Sequence, residues 1–143
     1  VIDNRVIQRD LVAWLKLQAA LSALLAGGTN NEVREDQYQG TVFGYPAVRV
    51  NIITQDPIPE RERCDHTRLT GSVRCYAEGA SSRPADNLAG VVNGLLHRLN
   101  FHGTGWYSWF RTTGLVGAIL VSSDKLWRSE VMFAGVVYPT TNP

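Results

Sequence analysis

No stretch of this sequence is apolar for long enough to cross a bilayer. Its opening, "VIDNRVIQRD", is polar at Asp3 and Asn4 and charged again at Arg9 and Asp10, so neither a secretory leader nor a membrane partner is expected. An excess of one charge is missing too. Fourteen Lys and Arg offset thirteen Asp and Glu, giving a net charge of +1, and the two signs are interspersed. That argues against the clustered basic face of a nucleic-acid-binding protein. Cysteine is scarce: Cys64 and Cys75 are too few and too isolated for a zinc site. A bridge between them is open, but a chain able to build its own core more often keeps such thiols reduced, which fits folding in a cytoplasm. What is present, 143 residues with 44% hydrophobic and 19% charged, suffices for one domain around a real core. The expectation is a single domain over residues 1–138 with an extended loop at about 55–66 and a short tail at 139–143.

Periodicity supplies the elements. In "RVIQRDLVAWLKLQAALSALLAGG", Ile7, Leu11, Trp14, Leu15, Leu21, Leu24 and Leu25 recur at helical steps, with Gln18 the one polar member of the stripe. Asp3 or Asn4 suits the N-cap, and Gly27 and Gly28 suit the end. A polar connector follows, with room for a short edge strand near Val33. Alternation then predicts a strand over about Val42 to Thr54, with Pro46 near its start. A second strand is predicted in "TRLTGSVRCYAEG", where Leu69, Gly71, Val73, Cys75 and Ala77 alternate with Arg68, Thr70, Ser72, Arg74 and Tyr76. "SSRPADNLAGVVNGLLHRLNFHG" reads as a second helix. Ser81 or Ser82 caps it, Pro84 and Asp86 lie in its first turn, Gly90 and Gly94 are available for close packing, and Gly103 ends it. The rest reads as strands, "GWYSWFR", "GLVGAILVSSD" and "LWRSEVMFAGVVYP", with Ser122, Ser123 and Asp124 turning between the last two. The predicted fold class is α+β: two amphipathic helices packed on a mainly antiparallel sheet, in the order α-β-β-α-β-β(-β).

Chemistry finds little purchase here. "CDH" at Cys64, Asp65 and His66 is the one cluster resembling nucleophile chemistry. Adjacent residues on a proline-rich loop rarely supply the fixed thiol–base geometry that catalysis needs. His97 and His102 fall at the end of the second helix, where capping fits better than metal ligation. "GTGWYSWFR" lacks the lysine of a phosphate loop and precedes a strand. Trp106, Trp109 and Phe110, joined by Trp14 and Trp127, could stack on bases, yet only Arg111 and Arg128 qualify as basic neighbours. No catalytic residue, cofactor or metal ligand is assigned. A small cysteine-dependent enzyme and a single-stranded nucleic-acid module remain as rival classes.

The order of elements resembles something more specific. A capped helix ends in Gly27-Gly28, and a strand opens with "YPAVRV". A long polar excursion, "TQDPIPERERCDH", separates it from the return strand "RLTGSVRCYAEGASS". Then come "ADNLAGVVNGLLHRL" and a strand-rich end. Over nearly the whole chain this is similar to the tail-terminator (tail-completion) family of long-tailed bacteriophages and tail-like particles; another head–tail connector or neck protein is the alternative. The resemblance implies a virion protein, assembled in the host cytoplasm as a homo-hexameric ring that caps the tail tube and joins it to the head. Its partners would be the tail tube protein and a connector or neck protein, with nucleic acid only as genome passing through the ring. It implies no catalytic residues. Candidate interface residues are Glu60, Arg61, Glu62 and Arg63 in the excursion, and Arg49, Arg68, Arg74 and Tyr76 on the wetter side of the first hairpin. The second face of each subunit would be an edge strand near the C-terminus.

Overall fold

The structure, a computed structural model, describes residues 2–28, 30, 32–35, 44–58, 66–122 and 125–140. Helix α1 (Asn4–Lys16) opens as its sequence demands: Asp3 is the N-cap, and its carboxylate accepts a 2.8 Å hydrogen bond from the Arg5 amide. Ile7, Leu11 and Leu15 bury its apolar stripe. The helix does not run on to Gly27 as periodicity suggested. Gln18, the polar member of the stripe, takes an extended backbone and donates from its side chain to the Trp14 carbonyl, while Leu17 turns outward, 80% exposed. The Asn30 side-chain amide donates to the Lys16 carbonyl, satisfying an acceptor that the interruption frees. A four-residue helix, α2 (Ala19–Ser22), and a 3-10 turn at Ala26–Gly28 complete the segment, with Gly27 and Gly28 at positive φ.

One six-stranded sheet carries the rest, in the order β1-β2-β3-β6-β5-β4. Strand β1 (Val33–Glu35) lies parallel to β2 (Ala47–Pro57), and every other neighbouring pair is antiparallel. The sheet is therefore mixed, and the fold is α+β. Buried Glu32 organises the parallel edge: its carboxylate accepts from the Gly44 amide and pairs with Arg49 and Arg34. Strand β3 (Thr67–Glu78) follows its alternation closely, with Leu69, Gly71, Val73, Cys75 and Ala77 buried. Residues 55–57, expected in the loop, pair with β3; residues 59–65, with Cys64 and Asp65, lie outside the described residues.

Helix α3 (Arg83–Leu96) has Pro84 in its first turn, and the Ser81 hydroxyl accepts from the Arg83 amide at 3.2 Å. It stops seven residues before Gly103. His97 is extended, Arg98 enters the left-handed region at φ 61, and "LNFHG" becomes strand β4 (Leu99–Gly103). Two-residue alternation wins there: Phe101 is buried and His102 exposed. Gly90 and Gly94 face open space, because α3 packs through its other side, Leu88, Ala89, Val92 and Leu96.

The two strands expected after Gly105 are one: β5 (Trp106–Ser122), 17 residues long, paired with β6 (Leu126–Pro139), 14 residues long. The surplus lies wholly on β5, at Thr113, within Gly117–Ala118 and at Val121, where the register shifts three times. Each extra residue reverses which side chains face the helices. The turn holds Lys125 at φ 60; Ser123 and Asp124 are outside the described residues. Helices and the inward sheet face enclose one core, in which Phe101, Trp106, Phe110 and Phe133 pack at centroid distances of 5.1 to 6.2 Å. A carboxylate acceptor anchors this cluster to α1: Asp10 accepts from the Trp106 indole at 2.8 Å and from the Thr104 amide at 2.8 Å.

Candidate interaction surfaces

Nothing among the described residues gathers three or more metal-ligating side chains. Cys75 is fully buried, and burial alone pushes its thiol from 9.0 up to about 12, so it stays protonated and a poor nucleophile at neutral pH. His66 packs edge-on against Tyr138 at 4.5 Å. His97 sits at the end of α3 as expected, but its Nδ1 lies 3.1 Å from the Thr112 hydroxyl on β5; His102 stands on β4 and stacks on Tyr107. Chemistry therefore gives way to surfaces, and two are distinctive.

The first is an arm. Strand β4 covers only Trp106–Phe110 of β5, so from Arg111 to Ser122 the outer edge of β5 has no neighbouring strand among the described residues. This same half carries Leu115 (56% exposed), Val116, Ile119, Leu120 (53%) and Val121, five of the large hydrophobics left exposed on the surface. The register reversals explain the clustering. Leu115 and Leu120 stand opposite inward-facing Val131 and Trp127, Val116 and Ile119 opposite outward-facing Glu130 and Arg128, so apolar side chains emerge on both faces. Asp86 of α3 braces the arm: one carboxylate oxygen accepts from the Ala118 amide at 3.0 Å and from the Ser129 hydroxyl at 2.8 Å. The sequence placed Asp86 at the helix dipole; its hydrogen bonds place it across the widest irregularity of β5.

The second surface is the sheet face turned away from the helices. Of the residues expected there, Arg49 is buried and bound to Glu32, its guanidinium donating to the Glu32 carbonyl at 2.7 Å. Arg74 is held by Glu130 at 2.9 Å. Tyr76 is half-buried beside Tyr45, and Arg68 is exposed. Glu60, Arg61, Glu62 and Arg63 lie outside the described residues. The four hairpin residues share this face by register, two of the arginines being already engaged by acids, and Arg98, which the sequence did not point to, joins them. The missed residue reaches this face only because the chain leaves α3 through a left-handed turn, for which an arginine gives no local signal.

No protein-family model matches the sequence, and no curated protein matches it in sequence. Solved structures do match in shape. A chain of the virion of a native gene transfer agent (GTA) particle superposes with a TM-score of 0.72 at 16% identity, over 93% of this chain and 95% of that one. A second solved chain, known by a sequence label alone, superposes with a TM-score of 0.61 at 16% identity, over 97% of this chain and 94% of that one. At such identity the likeness is one of fold: the α+β architecture described above is shared, end to end, with a component of a phage-like particle.

Proposed function

We propose that this chain is a structural virion protein of a phage or phage-like particle, and that it acts as a tail terminator. Copies would close into a homo-hexameric ring on the finished tail tube, stop its growth and offer a landing surface to the head, with the genome passing through. The observation that carries the reading is the full-length fold likeness to a gene transfer agent virion chain, to which the terminator-like order of elements adds. A head-to-tail ring needs two different patches on every copy. The arm supplies one, because exposed apolar side chains beside an unpaired strand edge are a liability unless a partner covers them. The other patch lies on the first hairpin, with Tyr76 on its strand; the charged residues Glu60, Arg61, Glu62 and Arg63 are assigned to it from sequence alone.

Electron microscopy of the purified protein mixed with tail tubes tests the role. The expected image is added density at one end of each tube and no further elongation. Density along the tube sides, or none, would remove the terminator role. Density on isolated head connectors instead would favour a neck or connector protein of the same fold. In dilute solution a single copy is compatible with the reading, since the tube end supplies the template for closure.

A further inference from the structure

The sheet face away from the helices holds an arrangement distinct from the arm, although it shares Arg68 with the candidate hairpin patch. Register places two neighbouring rows across it. One runs Asp56, Arg68, Val136, Trp109, Asn100, and the next runs Thr54, Thr70, Ala134, Arg111. Val136 and Ala134, on β6, are short and lie in the middle. Arg68 rises on one side, Trp109 and Arg111 on the other, two strands and therefore about 10 Å apart. Arg98, carried in by its left-handed turn, also lines the hollow. The result is a trough of about 680 Å³ with three arginines, one indole and a small apolar floor.

What sets these side chains apart is that nothing in the described chain uses them. Of the other arginines on this face, Arg49 and Arg74 are bound to Glu32 and Glu130, and Arg128 stands farther along β6, outside the trough. Among the described residues Arg68, Arg98 and Arg111 make no ion pair and no acid lines the trough; Asp56, opposite Arg68 in register, does not bridge to it. The other rings of the face are also engaged: His102 stacks on Tyr107 at 5.8 Å, Tyr107 on Tyr138 at 4.9 Å, and His66 packs against Tyr138. Trp109 has no ring partner among the described residues and is 60% exposed. Like charges converging on one hollow repel each other unless an anion joins them. A guanidinium fork matches phosphate and carboxylate equally well, but a free indole flanked by such forks discriminates, because a base offers a π-face to stack on it and an acidic side chain does not.

We propose that this trough binds single-stranded nucleic acid, with Arg68, Arg98 and Arg111 on the phosphates and a base stacked on Trp109. The assignment does not depend on ring formation. Binding of a short labelled oligothymidylate, followed by anisotropy and by quenching of tryptophan emission, tests it. The expected result is binding at low salt whose log–log salt slope is roughly −2, as three neutralised phosphates on a single strand dictate. Trp109→Ala should abolish the quenching and weaken binding about tenfold. Arg68→Glu with Arg111→Glu should weaken it further, while thermal melting confirms that these exposed substitutions leave the fold intact. Absence of binding at low salt, or undiminished affinity in Trp109→Ala, would overturn the proposal. So would equal competition by polyglutamate, which would assign the trough to an acidic polypeptide, or equal binding of a duplex without quenching.

Discussion

Strand β5 is two structures in one. Its first five residues lie between β4 and β6, keep strict alternation, and bury Trp106 and Phe110 against Phe101 and Phe133. Its last twelve have only β6 beside them among the described residues, lose alternation three times, and leave five large apolar side chains exposed. Composition separates the halves, four aromatics in the first five residues and none in the last twelve, and so do their neighbours. The first half contributes stability to one copy, and the second has apolar surface that no described residue buries.

Substitutions can break that contrast, and the largest effect belongs to the first half. Phe110→Ala should cost about 3–5 kcal/mol in urea unfolding, because it empties a fully buried site ringed by aromatics. Leu120→Ala should cost less than about 0.5 kcal/mol, having little packing to lose. A comparable cost for both would erase the distinction. Alkaline pH probes the dry layer two strands in from the arm, where Cys75 of β3 lies opposite Ser129 of β6. Its folded thiol titrates at about 12 and the unfolded one near 9.0, so folding stability is intact below about 9 and declines as pH rises toward 12. The slope is about 1.4 kcal/mol per pH unit, and Cys75→Ala should flatten it in a pH series of melts.

Smaller effects sharpen the comparison. Asp10→Ala should cost about 1–3 kcal/mol by stranding the Trp106 indole N–H, with Asp10→Asn recovering part of the loss. Asp86→Ala removes the brace of the arm alone. It should cost only about 1 kcal/mol, yet amide exchange at Ala118 should accelerate while exchange in the first half of β5 stays unchanged. Finally, Ile119→Asp with Leu120→Asp should leave melting nearly unaltered and abolish ring closure on tail tubes. Retention of rings would move the subunit contact elsewhere.

Much of the fold was legible, and the failures have physical causes. Strand β3 was readable residue by residue because it is paired on both sides and regular from end to end. The cap at Asp3, Pro84 in the first turn of α3 and the short strand at Val33 were also within reach of local rules. The long reach of β5 was not. "GLVGAILV" reads as an unpatterned apolar run, since each extra residue shifts the alternation before two full periods can register. The first helix was overextended because one glutamine in an apolar stripe looks tolerable until its side chain turns back on the backbone. The second was overextended because Leu99 suits a helical stripe as well as a strand. The trough was invisible for a different reason: its three arginines come from β3, the turn after α3, and β5, and only strand order sets them side by side.

The mismatch of seventeen residues against fourteen has one more consequence. Two ribbons joined along their length, one longer than the other, must curve with the longer on the outside, as a bimetal strip does when warmed. The aim of the arm's tip is thus written as a count of residues and not as any particular side chain. Deleting Thr113 would remove one of the three surplus residues and part of the bend, yet leave Gly114 opposite Met132 and every later pairing as it is.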